Sequence, residues 1–479
     1  MNPASWYVIA LASLPLAAAI GAFCRERSGP WLAIGCGAAM MIAALVLVAS
    51  LAGEGATLHY EPGGWGAPLG ITWYVDGLAG SMLLLTAIIG TAGGVYHAAQ
   101  GDSQPYFWPL WLFLWAGLNA LFLSADLFNL YVALELLTLG AVALIALAGD
   151  QALGAAWRYL LAMLLGSSLY LFGVALLYGR YGVLDLQLLA DALVMDHATG
   201  VAVTLITTGL ILKAGAFPLH FWLPRAHGRA PVAVSAALSG VVVAASYYLL
   251  VRIWFGPFNP FLAGWGGQAL GLLGAAAIVW GGLQALAQQH LKLLIAYSTV
   301  SQLGYGLLIF PVAASPAFPL AWQGALGLML AHGLAKAGLF LGAGCLMRQY
   351  GHDRVQELSV NQRGLLIVWF AMALATASLI GLPPSSGFTG KLWLLQATLA
   401  AQDWWWAAVI VVGTLLTAAY LFRIFDAAFA EASEGQAPDT RLPPIMAWSA
   451  LVLAAGAVAL GLAGPLLATL LQVGGAEGA

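Results

Sequence analysis

Uninterrupted apolar runs of roughly 18 to 25 residues recur along the whole sequence, each long enough to cross a hydrocarbon core of about 30 Å as a helix. They fall at about 4–23, 31–52, 77–97, 106–124, 127–148, 155–178, 200–223, 231–255, 267–288, 294–312, 320–346, 364–384, 390–427 and 443–472. The thirteenth is long enough to hold the tail of a broken helix plus a full span. Because the runs are continuous rather than alternating with period two, a β-barrel is excluded. The predicted fold class is therefore an all-α, polytopic membrane protein with about fourteen transmembrane helices. Composition bears on one further point: with 62% hydrophobic and 7% charged residues, the 479-residue chain has too little polar surface to coat a soluble domain. No long polar stretch separates the spans, which predicts a single membrane domain; the longest polar connection runs from about Glu431 to Pro444.

The first run leads into Cys24-Arg25-Glu26-Arg27 without a basic leader or small-residue cleavage site, and reads as a retained helix. Cys24, Cys36 and Cys345 form no CxxC pair, so no disulfide framework, zinc site, iron–sulfur site or other cofactor is predicted. A net charge of −3 without a dense basic cluster gives no footing for nucleic acid. Gly387-Phe-Thr-Gly-Lys391 fails as a phosphate loop, since Leu392 stands where Ser/Thr is required. Arg25, Arg27, Arg158, Arg225, Arg229, Lys292, Arg348, Arg354, Arg363, Arg423 and Arg441 fall in alternate loops, which marks those loops as cytoplasmic and places both termini outside. Arg180 and Arg252 fall in the other set, with Glu54, Glu61, Asp185, Asp191 and Asp196.

Two spans are interrupted alike: Lys213-Ala-Gly-Ala-Phe-Pro218 in the seventh, and Gly381-Leu-Pro-Pro-Ser-Ser-Gly-Phe388 leading to Lys391 in the twelfth. Proline removes a backbone donor and frees carbonyls that tolerate membrane depth only when protein or water satisfies them. Matching breaks in two halves are what an internal inverted repeat leaves in sequence, and they point to a transport site. Simple proline kinks would leave the same trace, but a lysine adjoins each break. The chain has only four lysines, Lys213, Lys292, Lys336 and Lys391, and every loop apart from that of Lys292 uses arginine. An arginine-favouring genome accounts for the surface but not for lysines kept inside spans. A buried lysine can lose its proton near neutral pH, whereas arginine stays charged.

Glu135 is the one acid well inside a predicted span and needs a cationic partner, for which Lys213, equally deep and in the same half, is the candidate. A loosened pair could release a proton; a static structural pair would fit the same spacing. His332 and Lys336, four residues apart, share a helical face and form a candidate proton relay. His220 and His227 near the seventh helix suit packing or loop hydrogen bonds equally well. Trp404, Trp405 and Trp406, beside Asp403 at a helix start, read as an interfacial belt rather than a cofactor box. Proton or ion translocation is the work these residues suggest.

The segments Asp126–Glu135, Lys213–Pro224, Ala230–Gly240, Leu291–Thr299, His332-Gly-Leu-Ala-Lys336 and Gly381–Lys391, in that order and over most of the chain, resemble the antiporter-like subunits shared by Mrp-type cation/proton antiporters, respiratory complex I and membrane-bound hydrogenases. The wording of the seventh and eighth helices looks more like the Mrp-type D-subunit. The resemblance implies N-terminal helices at 1–104, two inverted five-helix repeats at about 105–255 and 265–427 with broken seventh and twelfth helices, and a C-terminal helix at 443–479. It implies a proton-translocating subunit of a monovalent cation (sodium)/proton antiporter in the bacterial inner membrane. Other membrane subunits, protons and the cation would be its partners, and the chain would not be an enzyme on its own. A proton-pumping arm of a complex I-like or hydrogenase complex, or a structural subunit with impaired translocation, are the alternatives. By similarity Glu135 and Lys213 form a modulating pair, His332 and Lys336 a central relay, and Lys391 a terminal site. Two positions depart from the family pattern: Ala244 stands where a lysine or histidine is common, and Leu293 replaces a second basic residue after Lys292.

Overall fold

A computed structural model of the chain describes residues 3–101, 104–359, 365–429 and 442–475. The polar connection expected from Glu431 onward lies outside the described residues as far as 441, as do Arg363 and Arg441. Helices α1 (Pro3–Cys24) and α2 (Gly29–Glu54) lead into a short antiparallel hairpin, β1 (Leu58–Tyr60) and β2 (Trp73–Val75), with Leu58 opposite Val75. Helices α3 (Gly77–Gln100), α4 (Phe107–Leu123), α5 (Leu127–Ala146) and α6 (Asp150–Tyr181) follow, then the short α7 (Leu186–Ala192) and α8 (His197–Ala214). After a break come α9 (Leu223–Arg229), α10 (Val232–Ala237), a π-helical turn at Leu238–Val242, and α11 (Val243–Trp254). The second half holds α12 (Gly267–Ala287), α13 (Leu291–Leu307), α14 (Phe318–Tyr350), α15 (Leu366–Ile380), a break, α16 (Ser386–Ala400) and α17 (Trp404–Phe429). Helices α18 (Pro444–Leu462) and α19 (Gly464–Gln472) complete it.

Among the described residues, eleven helices are long and apolar enough to cross a membrane. Adding α4, α13 and the broken α15/α16 pair brings the passes to fourteen, as the apolar runs predict. Both described ends lie on the hairpin face: α1 touches β1, and the Gly77 amide donates to the Val473 carbonyl at 3.0 Å. The acids of that face set where helices begin. Asp76, Asp126, Asp185 and Asp196 each accept a backbone N–H in the first turn of α3, α5, α7 and α8, so these carboxylates satisfy donors the helix start would otherwise leave open.

The molecule is organised around α14 and the α10–α11 segment, both fully buried along their most apolar stretch. Their backbones meet at Gly240 and Gly333, where a Cβ on Gly333 would stand 2.6 Å from the Gly240 carbonyl oxygen. A side chain there would push the two central segments apart. Both breaks begin at a glycine of positive φ, Gly215 at +64° after α8 and Gly381 at +93° after α15, which turns the chain where a Cβ would be strained. Since α8 starts from the hairpin face and α15 from the arginine-rich one, the two breaks run in opposite directions, the arrangement of an inverted repeat.

The structure refines several spans. The seventh run stops at Ala214 rather than reaching 223, because Gly215 and Pro218 end the helix before the apolar sequence ends. The thirteenth run divides into α16 and α17 at Ala401–Asp403, and the last divides at Ala463. Trp404 and Trp405 are exposed, as an interfacial belt requires, but Trp406 is buried and packs toward Gly271.

Candidate functional site

Lys213 occupies the last turn of α8, just before the break, and its side chain is 2% exposed. Its Nζ lies 3.6 Å from Glu135 Oε1 on α5 and donates to Thr138 Oγ1 at 3.2 Å. Ser167 of α6 donates to the same Glu135 oxygen. Three helices thus converge on one ion pair, with Glu135, at 21% side-chain exposure, reaching toward the bundle edge. The break costs α8 the helical partners of its final carbonyls. Leu212 O keeps a shorter-range partner in the Gly215 N–H at 3.1 Å, and Trp222 Nε1 adds a second bond, donating to it at 2.9 Å.

The second break is served differently. Lys391 on α16 turns back across it, its Nζ donating to Leu379 O at 2.9 Å and Ile380 O at 3.1 Å, the last carbonyls of α15. The ammonium thereby caps the negative end of a half-helix and stands 4.4 Å over the Tyr305 ring. Lys336, fully buried in mid-α14, donates to Ile295 O at 2.9 Å and to Ser298 Oγ on α13. Among the described residues neither Lys336 nor Lys391 has a carboxylate within ion-pair distance.

His332 lies one turn before Lys336, and both its ring nitrogens are buried without a hydrogen-bond partner among the described residues. The ring faces a narrow cavity, wide enough for water, lined also by Ala244, Tyr247 and Gln302. Gln302 Nε2 leads away from this cavity to Thr417 Oγ1 at 3.2 Å and Tyr420 Oη at 3.4 Å. The structure therefore joins Glu135 to Lys213 and sets His332 beside Lys336. Among the described residues no hydrogen bond or ion pair links Lys213, Lys336 and Lys391 to one another.

Sequence reasoning missed the settings of Lys292 and Arg252, and left His227 open between packing and a loop hydrogen bond. Lys292, placed in a loop, is 3% exposed in the first turn of α13 and donates to Ala230 O at 2.7 Å; its position at the edge of an apolar run concealed this. His227 is fully buried, stacked 5.2 Å from the Phe340 ring. Arg252, assigned to a loop, forms a bidentate pair with the buried Asp76 at 2.5 and 2.9 Å, and its guanidinium also donates to Tyr248 Oη at 2.9 Å. The signal for that pair was an aspartate immediately before a predicted helix start. Cys24, Cys36 and Cys345 are free, and among the described residues no cluster of three His, Cys, Asp or Glu side chains could hold a metal ion.

Known proteins share this architecture. The chain is 36% identical over 451 residues to the N-subunit of the NADH-quinone oxidoreductase of Desulforudis audaxviator, covering 88% of each. It is 31% identical over 402 residues to the D-subunit of the Na(+)/H(+) antiporter of Alkalihalophilus pseudofirmus, covering 81% of this chain and 79% of that one. Its fold superposes on a chain of the Mrp complex from Dietzia sp. with a TM-score of 0.91 at 27% identity, covering 99% and 97% of the two chains. A chain of respiratory complex I from Thermus thermophilus superposes with a TM-score of 0.76 at 26% identity, covering 96% and 98%. Residues 124–417, which span both breaks and all four lysines, match the family described as NADH:quinone oxidoreductase/Mrp antiporter, transmembrane. With more than half of its length matched, this chain belongs to that family.

Proposed function

We propose that this antiporter-like membrane subunit moves protons within a multisubunit monovalent cation/proton antiporter, with sodium as the exchanged cation. The observation that carries the reading is the placement of lysines: one at each of two oppositely directed helix breaks, and a third between them on the buried central helix. Glu135 and Lys213 act as a pair whose separation frees a proton, His332 and Lys336 relay it, and Lys391 passes it on. Water in the cavity beside Ala244 bridges the position where the family often carries a basic side chain. The domain limits of this reading are the two repeats at about 105–255 and 265–427. The protein sits in the bacterial inner membrane with its arginine-rich face in the cytoplasm and other membrane subunits around it.

Proton movement into native vesicles tests the proposal. Lys213→Ala, Lys336→Ala and Lys391→Ala are each expected to lower it at least about tenfold, the loss for roughly 1.4 kcal/mol, with assembly unchanged. Undiminished movement in assembled variants would instead make the chain a scaffold. The 36% identity to the N-subunit of an NADH-quinone oxidoreductase favours a second reading, a proton-pumping arm of a redox complex. Proton flux that needs sodium supports the antiporter; flux that needs an electron donor supports the redox arm.

A further inference from the structure

A recess of about 570 Å³ opens on the arginine-rich face, between the start of α6, α9, the start of α13 and the end of α14. Pockets that hold small ligands run to about 300–1,000 Å³, so the space suits a head group with room for water. Its lining includes Gln151, Arg158, Arg225, Arg229, His290 and Asp353. The charge is one-sided. Elsewhere Arg180, Arg252 and Arg354 hold carboxylates, while Arg348 and Arg423 hold backbone carbonyls. In the recess Arg229 donates to Gln151 Oε1 at 3.1 Å, and among the described residues no carboxylate lies within ion-pair distance of Arg158, Arg225 or Arg229. The one carboxylate in the lining is already engaged: Asp353 meets His290 Nδ1 at 2.8 Å and accepts the Lys292 backbone N–H at 3.4 Å.

We propose that this recess binds the phosphodiester head group of an anionic phospholipid from the adjoining leaflet. Arginine's planar fork matches phosphate oxygens in pairs, and three such forks around one recess form a phosphate receptor. The recess adjoins lipid-facing chain: Leu153, Trp157 and Leu161 form an exposed apolar row on α6, and Arg158 directly follows Trp157. A tryptophan beside an arginine at a helix end marks head-group depth, and basic pockets between helices on the cytoplasmic side are where anionic lipids lodge. The bound head group bridges Arg158 of α6 to Arg225 and Arg229 of α9, tying down the segment that follows the first break. The inference is independent of which ion the chain moves.

Native mass spectrometry of the full-length chain in mild detergent, titrated with phosphatidylglycerol or phosphatidylcholine, tests it. The chain is expected to prefer phosphatidylglycerol. Apparent affinity should fall about fivefold per arginine removed, hence about a hundredfold in the Arg158→Gln/Arg225→Gln/Arg229→Gln variant. An Arg25→Gln/Arg27→Gln variant, on the same face but away from the recess, should keep the preference. Should the triple variant not fold, the exposed single change Arg225→Gln still gives the fivefold reading. Equal affinity in wild type and variants overturns the proposal. So does stabilisation by inorganic phosphate alone equal to that by phosphatidylglycerol, which would make the ligand a free anion.

Discussion

Arg252 and Asp76 show what a charge needs inside this fold. The guanidinium donates to both carboxylate oxygens and to Tyr248 Oη, and lies over the face of Tyr74. Arg252→Ala would strand a buried carboxylate and is expected to destabilise the protein by about 3–5 kcal/mol, read as a lowered unfolding midpoint in detergent. Replacing both residues by apolar ones of similar size should recover most of that loss. Ala244→Lys carries the second expectation at this scale. A lysine there would enter the cavity facing His332, and the pH dependence of transport should shift if protons pass that way; an unchanged profile counts against the path. Lys213, Lys336, Lys391 and Glu135 were legible in sequence because charge is rare in apolar runs. Their hydrogen-bond partners were not, since Thr138, Ser167 and Ser298 are ordinary residues within such runs.

The two breaks announced themselves as elements through Gly-Pro chemistry, and the structure adds how their loose carbonyls are met: by an indole at the first and an ammonium at the second. Other elements left no such trace. The strands of the hairpin are three residues each, too short for alternation to register. The π-turn at Leu238–Val242 contains no proline and reads as uninterrupted helix. It coincides with the close approach to α14, which leads to a test: Gly333→Ala should cost about 1–3 kcal/mol by overpacking, because its methyl group would meet the Gly240 backbone rather than a movable side chain. A stability unchanged in thermal unfolding would mean that the central segments separate easily.

For the whole molecule, helix count followed from the continuous apolar runs, since lipid forces each pass to be complete in itself, and the inverted plan from the two matching breaks and the family resemblance. Which helices lie at the centre did not follow. The α14 run has a mean hydropathy of 1.4 in its best window, below the 2.5 of the outer span that contains α2, because a helix wrapped in protein can carry His332 and Lys336 while a lipid-facing one cannot. Mild-detergent purification from native membranes is expected to bring other membrane subunits along. Company consisting of small hydrophobic subunits fits the antiporter, and iron–sulfur or flavin subunits would assign the chain to a redox machine.

Each lysine bonds to groups that precede it in the chain: Lys213 to Thr138 and Glu135, Lys292 to Ala230, Lys336 to Ile295 and Ser298, Lys391 to Leu379 and Ile380. A chain emerging from the ribosome therefore delivers every costly cation into a bilayer where its acceptors have already arrived. Synthesis from N- to C-terminus can build this charged interior one satisfied ammonium at a time.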